Sequence, residues 1–221
     1  MMNGKRRMLT ATAALALAVM TMPAAGHAQE AVIGIKGGID SYNLNWKPDS
    51  IAPPIGHKTG FVGGLFGGVM FTKVAGLQLE ALYSQRNVTE QEADLDLNFA
   101  YFEIPLLFTA KFSVAETPMR PILFAGPSVS FESKCQVSGE DNGTTVTLDC
   151  DDDEIQIERT KTEWAVVFGL GIDYPVGNFL LGAEWRYNLG LTNLNNDSDT
   201  SDFETVKTRS WAILLTVGYP L

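Results

Sequence analysis

Apolar and polar residues alternate along most of this chain. In Asn178–Leu191, Phe179, Leu181, Ala183, Trp185, Tyr187, Leu189 and Leu191 fall on one parity, and Leu180, Gly182, Glu184, Arg186, Asn188 and Gly190 on the other. A period of two is the mark of a strand, because successive side chains leave opposite faces. The same alternation runs through Val32–Leu44, Thr59–Phe71, Gly76–Val88, Leu97–Phe112, Met119–Glu132, Lys161–Tyr174 and Val206–Tyr219. The pattern therefore predicts eight strands. Each apolar stripe is long and rich in aromatics, beyond what a soluble strand needs. A strand that crosses an outer membrane uses about 9–11 residues, apolar toward lipid and polar toward the lumen.

The connections sort by parity as well. Asn45–Lys58, Thr89–Asp96, Ser133–Thr160 and Asn193–Thr205 are the longer ones; Thr72–Ala75, Ser113–Pro118 and Pro175–Gly177 are short. Short periplasmic turns alternating with longer outside loops are the habit of up-and-down barrels, and an even strand count puts both chain ends on the periplasmic side. The expected fold is thus all-β, an eight-stranded antiparallel up-and-down transmembrane β-barrel.

The N-terminus fits that destination. Lys5, Arg6 and Arg7 precede an apolar run from Leu9 to Met22, broken by Pro23, and Ala25–Ala28 supplies small residues for cleavage. This predicts an export signal over residues 1–28, with residues 29–221 as one barrel domain. The apolar run falls short of the roughly 20 residues of a spanning helix, and a closed barrel is the other structure that satisfies every backbone group in lipid.

Charge adds a second asymmetry. The net charge is −10, and −13 once Lys5, Arg6 and Arg7 are removed. That excludes the basic footprint of a nucleic-acid partner. Three of the longer connections, Thr89–Asp96, Ser133–Thr160 and Asn193–Thr205, carry the excess of acid, so the expected outer rim is negative, either a solvated face or a surface that selects cations or partners.

Several segments resemble a known family: GIKGGI at Gly34–Ile39, GLQLEALYSQR at Gly76–Arg86, YFEIPLL at Tyr101–Leu107, RPILFAGP at Arg120–Pro127, FGLGIDY at Phe168–Tyr174 and EWRYNLGLTNL at Glu184–Leu194. In order and spacing they are similar to the outer-membrane β-barrel domain family, small eight-stranded barrels of the OmpA/OmpX kind, also termed porin-family or PorT-family proteins. The resemblance covers the mature chain and implies an outer-membrane location. The family includes structural barrels, adhesion-related proteins and secretion-system parts. Such barrels often end in an aromatic residue read by the insertion machinery, whereas this chain ends Tyr219-Pro220-Leu221.

Candidate chemistry is sparse. Lipid-modifying barrel enzymes generally want a histidine base beside a serine. The mature chain offers His57, with Ser41, Ser50 and Ser84 as candidate neighbours and no motif linking them. The GGLFGG run at Gly63–Gly68 lies inside a strand pattern, where it permits close packing or curvature rather than phosphate binding. Cys135 and Cys150, the only cysteines, predict a disulfide in an exported chain. Asp149, Asp151, Asp153 and Glu154 resemble a calcium loop, although Glu154 and Thr160 stand where the loop's glycine and glutamate belong; they are candidate ligands for weak calcium or magnesium binding. No other cofactor is expected.

On the inward parity lie Lys36, Glu80, Glu103, Lys111, Arg120, Glu184 and Arg186. Their mixed signs predict a salt-bridged network filling the lumen, since about eight strands leave room only for the barrel's own side chains. The function expected from all this is a non-enzymatic, envelope-structural barrel, monomeric in membrane lipid, that presents acidic loops. Alternatives are a component of a secretion or adhesion system docking an unidentified extracellular or periplasmic protein, a lipid-modifying barrel enzyme, and a soluble lipocalin-like binder.

Overall fold

The computed structural model describes residues 30–47, 58–90, 95–141, 144–150, 160–193 and 205–221. It contains β1 (Ala31–Lys47), β2 (Lys58–Met70), β3 (Ala75–Glu90), β4 (Leu95–Lys111), β5 (Arg120–Asp141), β6 (Thr144–Asp149), β7 (Thr162–Val176), β8 (Phe179–Gly190) and β9 (Thr205–Pro220). Every pairing is antiparallel, and each barrel strand pairs with the next, omitting β6. The first strand then pairs with the last, from Val32↔Pro220 to Lys47↔Thr205, and so closes an eight-stranded ring.

Alternation decides which way each side chain points. Ile33, Ile35 and Ile39 of β1, Leu170 and Ile172 of β7, and Ile213, Leu215 and Val217 of β9 are all exposed on the outer wall. Their neighbours on the other parity are buried, as in the strict in–out pattern of β7. In water such a wall would be an unsolvated apolar sheet; in lipid it is the solvated face. Aromatics mark its two edges. Phe71, Phe112, Tyr174, Phe179 and Tyr219 lie near the chain ends, and Phe61, Tyr83, Phe131, Trp164 and Trp211 near the opposite rim. From Tyr219 to Trp211 is about 26 Å along β9 at the usual rise per residue, enough for a tilted strand to cross a hydrocarbon core.

The longest connection is not all loop. β5 continues past the barrel and folds back on itself as a hairpin with β6, from Gln136↔Asp149 to Asp141↔Thr144. The reason is pairing. β7 accompanies β5 only as far as Phe131↔Thr162, so beyond that point one edge of β5 is free to take β6 while β4 holds the other up to Leu95↔Gly139. A bulge between Ala100 and Tyr101, facing Glu132–Lys134, marks the transition. β3 and β4 also run further than their alternation indicated, to Glu90 and from Leu95, which leaves residues 91–94 as the connection. Among the described residues the strands extend unevenly toward the outer rim: β3 to β6 form a ridge, β1 and β9 a paired ribbon, and β7 and β8 end lower.

Two of the short turns use left-handed backbone, Glu116 at φ 65° between β4 and β5 and Gly177 at φ 59° between β7 and β8. The conformation is costly for residues with a Cβ.

The charged lumen as candidate functional site

The barrel interior is layered. At its centre Lys36 of β1 donates to Glu80 Oε1 of β3 at 2.7 Å and to both oxygens of Glu184 of β8, at 2.9 and 2.8 Å. Arg186, two residues along from Glu184 and so on the same face, donates to Glu80 Oε2 at 2.8 Å, to Glu80 Oε1 at 3.2 Å and to Glu184 Oε2 at 2.8 Å. Gln78 Nε2 adds a bond to Glu80 Oε1 at 2.8 Å. Two cations face two anions in a space closed to solvent, each side chain at most 9% exposed. Buried charges are tolerated when paired and hydrogen-bonded in this way.

Small residues make the quartet possible. Lys36 has Gly64 and Thr216 as its cross-strand neighbours, so nothing bulky blocks its reach. Gly34 leaves space for the ring of Phe66, and Gly169 for that of Phe124. Those two rings carry the cations, with Lys36 Nζ 4.9 Å and the Arg186 guanidinium 5.7 Å from the respective centroids. Apolar patches flank the layer, Val62, Leu82, Ala212 and Leu214 in one group and Leu107, Ile122, Phe124 and Val167 in the other.

Nearer the outer rim lies a second cluster with a different balance. Arg86 of β3 donates to Glu103 Oε1 of β4 at 2.6 Å and to Glu163 Oε2 of β7 at 3.5 Å, and its Nε stands 4.0 Å from Asp40 Oδ2 of β1. Ser84 Oγ also donates to Glu103 Oε1, at 2.7 Å. The rings of Tyr42 and Tyr101 hold the guanidinium between them, with centroids at 4.9 and 4.6 Å. One cation here faces three carboxylates. Asp40 Oδ1, Ser128 Oγ and Asn188 Oδ1 are buried without hydrogen-bond partners.

Toward the chain ends the lumen opens. Lys111 donates to Asp173 Oδ2 at 2.9 Å, and Arg120 Nη1 to Glu30 Oε2 at 3.3 Å. Lys111, Arg120 and Glu30 line a cavity of about 480 Å³ together with Gln78 and Thr109. Further in, voids beside Glu184 and beside Arg86 are each about 10 Å³, about the room of a single water.

The seven inward charges named from the sequence thus fall into separate groups. Lys36, Glu80, Glu184 and Arg186 converge. Glu103 belongs to the Arg86 cluster, Lys111 to a pair with Asp173, and Arg120 to a partly exposed pair with Glu30 at the mouth. Asp40, Arg86, Glu163 and Asp173 were not among the seven, although each sits on the polar parity of its strand. Cys135 and Cys150 form a disulfide with a Cα–Cα separation of 5.5 Å, across the hairpin where Cys150 N also donates to Cys135 O at 3.2 Å. Asp149 accepts a bond from Gln136 at 3.1 Å; Asp151, Asp153 and Glu154 lie outside the described residues, as do His57, Ser50 and the export segment 1–28. Ser41 shares its ladder position with the outward Trp211, whereas Ser84 points inward to Glu103, so these two hydroxyls sit on opposite faces of the wall.

No curated protein matches the sequence. Among solved structures, Neisserial surface protein A is similar at TM-score 0.50 and 15% identity, with 86% of this chain and 97% of that one covered. At that identity the likeness is one of fold. The E. coli outer membrane protein W matches at TM-score 0.49 and 14% identity over 89% of this chain and 100% of that one. OprG from Pseudomonas aeruginosa matches at 0.48 and 14%, over 89% and 98%. The outer membrane protein beta-barrel domain family matches residues 27–196. With the closed ring, the apolar outer wall and that match, the chain belongs to the outer membrane protein beta-barrel domain family and is a protein of the bacterial outer membrane.

Proposed function

We propose that this is a closed barrel without enzymatic activity, one that serves the envelope as a structural element and carries acidic loops on its outer rim. The observation that carries the reading is the quartet of Lys36, Glu80, Glu184 and Arg186, which joins β1, β3 and β8 across the lumen with side chains at most 9% exposed. A water-filled pore would solvate these groups; here each is matched by a partner instead. The protein reconstituted into planar bilayers should give no stable conductance. A steady, large single-channel current from the native protein would refute the closed lumen.

A second reading is docking of another protein by the outer ridge. The support is the hairpin of β5 and β6, held by pairing and by the Cys135–Cys150 disulfide well beyond the point where β7 ends. A surface kept in order above the membrane is a better platform than a free loop. Crosslinking from residues on the β6 side in intact cells would identify such a partner, and the absence of any crosslinked species would count against it.

A further inference from the structure

We propose that the outward face of the β1–β9 ribbon is a binding site for a phosphorylated lipid of the outer leaflet, with Lys207 and Arg209 holding the phosphate. Parity brings the two cations there. On β9 Thr208 and Ser210 are buried in the lumen, so Lys207 and Arg209 leave the other face, the one that turns Trp211, Ile213 and Leu215 toward lipid. Arg209 is exposed and Lys207 half-buried. The inward cations Lys36, Arg86, Lys111 and Arg186 each sit on a carboxylate. Lys207 and Arg209 face none across the ladder: Arg209 is level with Asn43 of β1 and Leu189 of β8, and Lys207 with Asn45 of β1.

Height selects the ligand. Trp211 stands at the outer aromatic edge of the wall and is 41% exposed. Arg209 and Lys207 lie further out on the same strand, about 7 and 13 Å beyond Trp211 at the usual rise per residue. With a barrel strand's tilt that is roughly 5 and 10 Å above the hydrocarbon. The headgroup layer is about 5–8 Å deep on each side of the core. Arg209 is therefore level with the phosphates, and the long stem of Lys207 lets its ammonium come down to them. A guanidinium gives a phosphate two parallel N–H donors, and an ammonium adds a point charge. Asn43, exposed beside Arg209, supplies an amide for the hydroxyl and carbonyl groups around the phosphate. Below it Trp211 pairs with Tyr187 across the ladder, two amphipathic rings at the membrane edge. There is also room. Pairing with β8 stops at Leu189↔Arg209, while pairing with β1 continues to Lys47↔Thr205, so among the described residues the ribbon has an open flank beside Lys207. The net charge of −13 on the mature chain adds a reason for such a site. Acidic connections above an anionic leaflet are repelled by it, and cations at headgroup height offset that repulsion.

The test uses the full mature chain refolded into neutral detergent, with native mass spectrometry to count the lipids retained. The probes are bisphosphorylated lipid A, the same lipid A stripped of its phosphates, and inorganic phosphate as competitor. One phosphorylated lipid A per chain should stay bound, with an affinity about tenfold or more above that of the stripped form. Millimolar inorganic phosphate should not displace it. The Lys207→Gln, Arg209→Gln variant should lose the preference. Lys73→Gln, on the turn between β2 and β3 at the other end of the barrel, should keep it. Both variants change side chains outside the lumen and should leave the unheated and boiled gel positions as in the native protein. In amide NMR spectra of the native chain the phosphorylated lipid should move the resonances of residues 207–211 and of Asn43. Equal binding with and without phosphates, equal loss in Lys73→Gln, or displacement by inorganic phosphate overturns the proposal. So does a preference that appears only after Asp197, Asp199, Asp202 and Glu204 are changed to their amides, since the acids of that connection would then be what occupies the two cations.

Discussion

At the scale of single residues, burial separates the two kinds of side chain that alternate along each strand. Glu80 accepts from Lys36, Arg186 and Gln78, so Glu80→Ala strands two cations in a dry interior with Glu184 as their one remaining carboxylate. Removing one partner of a buried pair costs about 3–5 kcal/mol. Leu181, outward on β8 and near the membrane edge, loses only apolar contact with lipid, about 1–2 kcal/mol for Leu181→Ala at the usual value per methylene. Urea unfolding of both variants in lipid vesicles should rank Glu80→Ala well below Leu181→Ala; equal midpoints would show that the quartet is solvated. The inward charges were legible in the sequence because parity alone places them. What parity leaves open is the partner. Lys111 and Arg120 lie on the same face as Lys36, but pairing depends on the stagger between strands that are remote in sequence, which a single strand's pattern does not encode. Arg86 and Glu163 carried the same signal as Glu80 and are part of the lumen for the same reason.

At the scale of elements, alternation is readable wherever lipid faces one side and fades above the membrane, where both faces meet water. This is why the eight barrel strands stood out and β6 did not: TTVTLD lies in an acid-rich stretch that composition marks as loop. β4 shows the change within one strand. Phe102, Ile104, Leu106 and Phe108 are apolar on even positions, while Leu95, Leu97, Phe99 and Tyr101 are apolar on odd ones, and the bulge sits where the parity switches. Below the switch apolar residues seek lipid; above it Phe99 and Tyr101 stack on one another at 6.3 Å. The hairpin above has a clear dependence on its crosslink. Closing a loop of 15 residues contributes about 3 kcal/mol in the chain-entropy picture, and here it also fixes the register of β5 against β6. A Cys135→Ser, Cys150→Ser variant should keep its barrel, with near-native resistance to detergent, while amide exchange over Gln136–Asp149 speeds up strongly. Unchanged exchange there would mean that the backbone pairing holds the hairpin without help.

At the scale of the whole molecule, closure is the dominant fact. β1 pairs with β9 over sixteen positions, so no edge is left unpaired in the ring, and an outer wall of Ile, Leu, Val and aromatic residues surrounds it. Such a body resists detergent because no strand can be peeled away without exposing a row of backbone groups. The native protein should migrate differently on a gel before and after boiling, and should fractionate with outer membranes. A single band position under both conditions would contradict a closed ring.

The way the central quartet is assembled has a consequence for insertion. Its members come from the first, third and seventh strands of the ring, so they meet only when the sheet has curled fully and its ends have joined. Until then Lys36 and Glu80 travel apart from Glu184 and Arg186, and a partly curled sheet in the bilayer would offer bare charge to hydrocarbon. The membrane thereby penalises every arrested stage and spares the finished one. Four polar side chains hidden from lipid act as a checkpoint on assembly: they favour a chain that completes its circle or leaves the bilayer, and disfavour one that stalls half-formed.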